Sequence, residues 1–339
     1  MEYVKFKGLN RDVSRIGLGT WSIGGWMWGG TDDREAILTI RAALDHGITL
    51  IDTAPAYGFG HSEEVVGRAL AQHGKRQDVI IATKVGLEWH REQVFRNSTR
   101  SRILLEIDES LRRLGTDYID LYQVHWPDPL VPIEETAAVM DQLYRAGKIR
   151  AVGVSNYSVE QMEMFQKVAP LHTAQPPYNL FERGSEGEVL PYCGIRGIDT
   201  ITYGALCRGL LSGRMKPATE FEGDDLRKVD PKFRPPRYKQ YLRAVECLDR
   251  FAHENYGRNV LELAVRWALD RPFVMAVLWG ARRPEQLAPV AGVSGWTLDA
   301  AALKAIDVIA SVANPVGPEF MAPPPRSAQN EAEESARTA

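Results

Sequence analysis

The sequence predicts an α/β fold, a closed (β/α)8 TIM barrel with an N-terminal β-hairpin plug. Three observations point there. Eight short β-type runs recur along the 339 residues, several almost continuously apolar, as strands buried on both faces of a parallel sheet are. Most of their starts lie about 25 to 40 residues apart, room for one crossover helix each. The mark of the rival open doubly wound sheet, GxGxxG directly after the first strand, is missing. There the chain reads Gly24-Gly25-Trp26-Met27-Trp28-Gly29-Gly30, glycine-rich but interrupted by tryptophans.

Taken in order, Tyr3–Lys7 and Asp12–Arg15 form a hairpin across Gly8-Leu9-Asn10 and plug the N-terminal end of the barrel. Ile16–Thr20 is the first barrel strand. Asp33–His46 is a helix, with Ile37, Ile40 and Leu44 on one face and Gly47 behind it as a C-terminal stop. Thr49–Thr53 and Val79–Lys84 are the next strands. Ile103, Leu104, Ile107, Leu111 and Leu114 follow helical spacing and end at Gly115. Strand Ile119–His125, helix Glu134–Ala146 before Gly147, and strands Ile149–Ser155, Thr173–Tyr178 and Asp199–Ala205 continue the alternation. A polar, Pro-rich segment (Lys216–Lys239) and two helical stretches (Tyr241–Tyr256, Val260–Asp270) precede the eighth strand, Val274–Gly280. Residues 1–321 make one domain. Ala322–Ala339, Pro-rich and then polar and small, is expected to be disordered.

Composition excludes several classes. With 44% hydrophobic and 25% charged residues the chain is neither fibrous nor wholly disordered. Its formal charge of −3 argues against nucleic acid or an anionic membrane as partner. Cys193, Cys207 and Cys247 show no CxxC spacing, so neither a disulfide framework nor a zinc site is expected. No apolar run approaches the ~20 residues of a membrane span, and Met1–Asp12 lacks the apolar core of a signal peptide. A cytoplasmic setting follows; a monomer is plausible and the oligomeric state stays open.

Active sites of such barrels lie at the C-terminal strand ends. Asp52 ends the second strand, Lys84 the third, His125 the fourth, and Tyr57 lies in the turn after Asp52. Each alone has a plain structural explanation: a turn cap, a solvated strand end, a satisfied histidine, a loop aromatic. Together, buried at one mouth, they carry a desolvation cost unless they pair. A tyrosine, whose ordinary pKa is about 10, is a poor acid at neutral pH. A lysine ammonium beside it, held by a carboxylate, lowers that pKa, and a histidine alongside can donate to a carbonyl oxygen. None of the four accepts a hydride, so a reduction needs a redox cofactor.

At this point the sequence resembles the aldo-keto reductase superfamily, over roughly Leu18–Leu287. The matching stretches are Gly17–Trp21 (GLGTW), Ile51–Gly58 (IDTAPAYG), Gly60–Gly67 (GHSEEVVG), Ala82–Lys84 (ATK), Asp120–Asp128 (DLYQVHWPD), Gly153–Tyr157 (GVSNY) and Tyr203–Gly213 (YGALCRGLLSG). The resemblance implies an NADPH-dependent carbonyl reductase with Tyr57 as proton donor, Lys84 and Asp52 tuning it, and His125 orienting the carbonyl. It places Ser155, Asn156 and Gln175 on the nicotinamide carboxamide of NADP and Tyr203 against the ring. Thr20, Trp21, Gly204, Leu206 and Arg208 would complete the cofactor site, and Arg214 sits where the family usually has a lysine near the cofactor phosphates. On the last strand, Gly280, Ala281, Arg282 and Gln286 would hold the adenine-side phosphates, guanidinium suiting the extra 2′-phosphate of NADP. Members of the family commonly grip adenine with a Glu-Asn pair three residues after the equivalent of Gln286. Here Pro289 and Val290 stand instead.

Trp26, Trp28 and Trp89 follow strand ends and either pack loops or wall a substrate pocket; Trp126, next to His125, is expected in the wall. Three runs, Gly24–Gly30, Tyr178–Arg183 and Tyr203–Arg208, resemble the bacterial branch of NADP-dependent glycerol dehydrogenase (glyceraldehyde reductase) and general stress enzymes. That implies small polar aldehydes: glyceraldehyde, methylglyoxal or short sugars. The competing readings are a cofactor-binding redox sensor of the channel β-subunit type, and a barrel aldolase or metal-assisted hydrolase. Lys84 could form a Schiff base for the aldolase, whereas no metal is expected.

Overall fold

The structure is a computed structural model that describes residues 1–311 and 322–326. β1 (Tyr3–Phe6) and β2 (Arg11–Ser14) form the antiparallel N-terminal hairpin. Barrel strands β3 (Ile16–Gly19), β4 (Leu50–Asp52) and β5 (Ile80–Val85) follow. A second hairpin, β6 (Leu87–His90) with β7 (Gln93–Arg96), then precedes β8 (Ile119–Val124) and β9 (Ile149–Ser155). The series ends with β10 (Thr173–Gln175), β11 (Asp199–Thr202) and β12 (Ala276–Gly280). The barrel closes in the order β3-β4-β5-β8-β9-β10-β11-β12 and back to β3, all pairings parallel. All eight runs read from sequence are barrel strands; most are trimmed by one to three residues at their ends, and the third is shifted by one, to Ile80–Val85.

The outer layer contains α1 (Asp33–Asp45), α2 (His61–His73), α3 (Arg100–Leu114), α4 (Ile133–Arg145) and α5 (Val159–Gln166). It continues with α6 (Val189–Arg196), α7 (Arg237–Tyr256), α8 (Val260–Leu269) and α9 (Ala300–Ala310). Capping defines several of these starts: Ser158 and Asn259 each form a reciprocal capping box, with Gln161 and Glu262. Among the described residues no helix is long and apolar enough to cross a membrane, and no group of three or more His, Cys, Asp or Glu could hold a metal ion.

Two cores separate the layers. The larger lies between strands and helices. The smaller fills the barrel with Leu50, Ile80, Leu121, Ile201 and Leu278, and it includes Phe6 and Val13, both fully buried. The first hairpin is therefore a plug, its apolar face sealing the lower barrel. Removing the Phe6 ring would cost about 3–5 kcal/mol by the usual measure of buried Phe→Ala changes.

Strand alternation then positions the chemistry. Side chains two residues apart share a face. Leu50 points inward, and so does Asp52; Ile80 and Ala82 lead to Lys84, and Leu121 leads to Gln123. A polar layer thus sits one step above the apolar one. Register keeps it level, with Lys84 beside Gln123, Gln123 beside Gly153, and Gln175 beside Ser155.

The β6–β7 hairpin is absent from the sequence reading. It has no Asn-Gly turn signal, and its bend uses Arg91 in the left-handed region (φ 55°). Residues 322–326, the head of the tail expected to be disordered, lie against this hairpin: Arg96 N–H donates to the Pro324 carbonyl at 2.8 Å, and Arg326 faces Glu88 at 3.9 Å. The remaining tail, 327–339, falls outside the described residues.

Candidate active site

Asp52, Lys84, Tyr57 and His125 meet at the top of the barrel. The Lys84 Nζ donates to Asp52 Oδ1 at 2.5 Å, to the Thr53 carbonyl at 3.0 Å and to the Tyr57 hydroxyl at 3.2 Å. Lys84 is 1% exposed and Asp52 2%, so the pair is desolvated and its members depend on each other. The ring of His125 stands edge-on to that of Tyr57, with centroids 5.7 Å apart, and Trp21 stacks on Tyr57 at 6.1 Å.

Local backbone explains why Tyr57 arrives there. Gly58 adopts φ +67°, and a Cβ on it would stand 2.1 Å from the Gly24 carbonyl oxygen. A Cβ on Gly24 would in turn meet the Tyr57 carbonyl at 2.6 Å. This glycine pair lets the loop after β3 press on the Tyr57 turn, which no side chain could do. A hydroxyl chain supports Asp52: Ser62 Oγ donates to Thr20 Oγ1 at 2.8 Å, and Thr20 Oγ1 to the Asp52 carbonyl at 2.9 Å.

Electrostatics follow from burial. Burial pushes the Tyr57 hydroxyl up; Lys84 pulls it back and Asp52 adds to the rise, leaving it above its ordinary range. The lowering expected from Lys84 is present but outweighed, so Tyr57 holds its proton at neutral pH. Burial works against the Lys84 ammonium, yet Asp52 and then Tyr57 overcome it and raise its pKa. Burial, and after it the Lys84 charge, push His125 well below the ordinary histidine range. The imidazole is therefore neutral at pH 7, able to donate one hydrogen bond.

Above these groups opens a pocket of about 320 Å³. Tyr57, His125, Ser155, Asn156, Gln175, Tyr203 and Arg208 are its polar lining. Asn156, itself left-handed (φ 62°), donates from Nδ2 to the His125 carbonyl at 2.9 Å and accepts from the Tyr203 hydroxyl at 2.8 Å. Ser155 Oγ donates to the Gln175 carbonyl at 2.8 Å. Arg208 pairs with buried Asp230, which also faces the fully buried Lys232 at 3.5 Å. Sequence reading did not anticipate this support.

The rest of the lining is largely apolar. Trp126 lines the pocket as expected, and so does Trp26, for which loop packing was the alternative; Trp21, Met27, Leu87, Val94 and the tail residues Ala322–Pro324 join them. Trp28 and Trp89 lie elsewhere. Trp28 packs edge-on against Trp21 beneath Arg227, while Trp89 meets Phe59 and the Arg102 guanidinium. Proximity to a strand end was their only sequence signal, and it carries no direction.

The remaining expected cofactor residues lie outside this lining. Thr20 is fully buried, its hydroxyl spent on Asp52, while Gly204 and Leu206 are half-buried and Arg214 is exposed. Past β12, Gly280 is exposed and Ala281 buried. The Gln286 Oε1 accepts from the backbone N–H of Arg282 at 2.7 Å and of Arg283 at 3.2 Å, shaping the turn. The Arg282 guanidinium reaches back to the carbonyls of Trp28, at 2.8 Å, and Gly30. Pro289 is half-buried and Val290 is 1% exposed, so Val290 presents nothing to an adenine.

Comparison with known proteins places the chain in a family and supports the barrel. The model of the aldo/keto reductase family matches residues 15–311. The chain is 61% identical to aldo-keto reductase YhdN of Bacillus subtilis, over 96% of this chain and 99% of that one. It is 36% identical to the NADH-specific methylglyoxal reductase of Escherichia coli, over 81% and 88% respectively. The solved glycerol dehydrogenase AKR11B4 of Gluconobacter oxydans superposes with a TM-score of 0.85 at 51% identity, covering 94% of this chain and 99% of that one. Two solved structures of a Klebsiella pneumoniae aldo-keto reductase, 29% identical, hold NADP or NADPH. The chain is an oxidoreductase and belongs to the aldo/keto reductase family.

Proposed function

We propose that the protein reduces small aldehydes and ketones of the glyceraldehyde, methylglyoxal or short-sugar type to alcohols, with NADPH as reductant and Tyr57 as general acid. The Lys84 ammonium held between Asp52 and the Tyr57 hydroxyl, with neutral His125 alongside, carries the reading. The names of relatives that act on methylglyoxal and L-glyceraldehyde 3-phosphate support the substrate class. A cytoplasmic setting and a small-molecule partner complete it.

The residues present fit the cofactor. Ser155, Asn156 and Gln175 offer amide and hydroxyl groups suited to a carboxamide, the Tyr203 ring a flat apolar face, and Arg208 a cation at the pocket edge. When bound, NADPH supplies the hydride. The protein does the rest. The aromatic wall excludes water around the carbonyl carbon. His125 donates a hydrogen bond to the carbonyl oxygen, polarising it without offering a competing proton. As negative charge grows on that oxygen, Tyr57 releases its proton to it, and Lys84 stabilises the phenolate left behind. Asp52 keeps Lys84 charged through the step.

Tyr57→Phe tests this. The variant should bind NADPH normally yet lose about 10²–10⁴-fold in turnover with glyceraldehyde or methylglyoxal, followed as loss of reduced-cofactor absorbance. Near-native turnover refutes the assignment. A native protein that binds NADPH but reduces none of these carbonyls would instead support the redox-sensing reading.

A further inference from the structure

We propose that Gln123 is a positioning residue of the proton donor: together with Gln175 it clamps the Oδ2 of Asp52, which keeps Oδ1 turned onto Lys84. The inference rests on Tyr57 being the acid, and it adds a residue that does not line the pocket. Gln123 is fully buried, inward-facing, and in the same barrel layer as Lys84.

The hydrogen-bond geometry leaves one consistent arrangement. A carboxylate only accepts, so both amides must turn their nitrogens toward Asp52. Gln175 Nε2 donates to Oδ2 at 2.7 Å, and Gln123 Nε2 donates to the same oxygen at 3.3 Å. The second N–H of Gln175 then reaches Gln123 Oε1, also at 3.3 Å. The two amides brace each other as well as the acid. The neighbouring glycine leaves room for it: a Cβ on Gly153, the next residue in the layer, would stand 2.3 Å from Thr173 Oγ1 and 2.8 Å from Gln123 Cγ.

The consequence is chemical. A carboxylate held at one oxygen alone can rotate away from its ammonium. Two donors on Oδ2 prevent this and also draw charge from Asp52. The titratable groups around the clamp are Asp52 on β4, Lys84 on β5, Tyr57 in the turn after β4 and His125 after β8. Less charge on Asp52 means less opposition to the phenolate on Tyr57 in the transition state. Because Gln175 also lines the pocket, one amide joins the cofactor side to the donor side of the site.

Gln123→Met preserves length and volume but has no N–H. It should lower kcat about tenfold, the effect of losing one hydrogen bond to a charged group. NADPH affinity should stay within about twofold of native, since the side chain lies beneath the pocket. The alkaline limb of the kcat profile should move to higher pH, because Asp52 with one donor fewer opposes Tyr57 ionisation more strongly. A native kcat with an unmoved limb overturns the proposal, as does a loss of NADPH affinity in step with kcat. Gln123→Glu is the second variant, decisive if the first does not fold. Its protonated carboxyl can donate to Oδ2, so its activity should approach native in mild acid and fall away sooner as pH rises; a pH-independent deficit overturns the clamp. Tyr57→Phe runs alongside. Turnover surviving there refutes the assignment of the acid, whereas loss there with native behaviour in Gln123→Met refutes the clamp alone.

Discussion

Lys84→Met should damage stability and chemistry by separable routes. The ammonium is 1% exposed and makes three hydrogen bonds, to Asp52, the Thr53 carbonyl and Tyr57. Removing it strands the Asp52 carboxylate with amide donors and no cation. Breaking one side of such a buried pair costs about 3–5 kcal/mol. At about 2–4 °C per kcal/mol for domains somewhat smaller than this one, Tm should fall by at most roughly 6–20 °C. Turnover should fall by at least about 10²-fold, because burial and Asp52 both then oppose the phenolate. Asp52→Asn added to Lys84→Met removes the stranded charge, so it should recover most of the Tm and none of the turnover. Calorimetric melts at neutral pH, with NADPH-coupled turnover, check these outcomes. A Lys84→Met protein as stable as native at neutral pH, or a double variant that regains activity, would refute the argument.

Other outcomes follow from the same geometry. His125 stays neutral well below the ordinary histidine pKa of 6.5, whereas in the unfolded chain it charges near that value. The unfolded state binds the extra proton, so His125 should contribute a loss of stability that begins as pH falls through about 6.5, absent in His125→Gln; pH-dependent melts of the two proteins compare it. Gly58→Ala forces φ +67° on a side chain and drives a Cβ to within 2.1 Å of the Gly24 carbonyl. Beyond a strain of about 1–2 kcal/mol, it should displace Tyr57 and lower kcat more than NADPH affinity, read from steady-state kinetics and a binding titration. A chain ending at residue 321 loses the Ala322–Pro324 wall. If that wall covers about 50 Å² of an apolar aldehyde, KM should rise about tenfold at roughly 25 cal/mol per Å², with NADPH affinity unchanged.

Which features were legible depended on what the backbone alone decides. The barrel strands were legible because burial on both faces forces apolar runs, and their polar ends showed where each run stops. Asp52, Lys84 and His125 were found that way. Gln123 was readable by the same rule and was passed over, although it lies two residues beyond inward-facing Leu121 and two before His125. Side-chain destinations were not legible. The Arg282 guanidinium, read for its charge, also reaches the Trp28 and Gly30 carbonyls, contacts set by the fold of a loop some 250 residues earlier. For a like reason the choice between loop packing and pocket wall stayed open for Trp28 and Trp89, which pack: position after a strand sets height along the barrel and not the direction faced. The raised pKa of Tyr57 was hidden too, since a sequence shows the neighbouring lysine but not the depth of burial.

That depth is what makes the arrangement workable. An ammonium and a carboxylate set on an apolar layer would be costly if either lacked a partner. Here Lys84 takes Asp52 and Tyr57, and Asp52 divides its oxygens between Lys84 and the two glutamine amides. Asp52, Lys84 and Gln123 lie beneath the pocket, and of the Asp52–Lys84–Tyr57 chain it is Tyr57 that reaches the lining. The charges are thus kept from substrate while one of them acts through a single hydroxyl. In the proposed mechanism the proton passed to substrate leaves by Tyr57, and burial raises its pKa without spoiling that role. The hydroxyl stays protonated until charge develops on an oxygen placed against it, and the ammonium behind it is already in position to receive the phenolate.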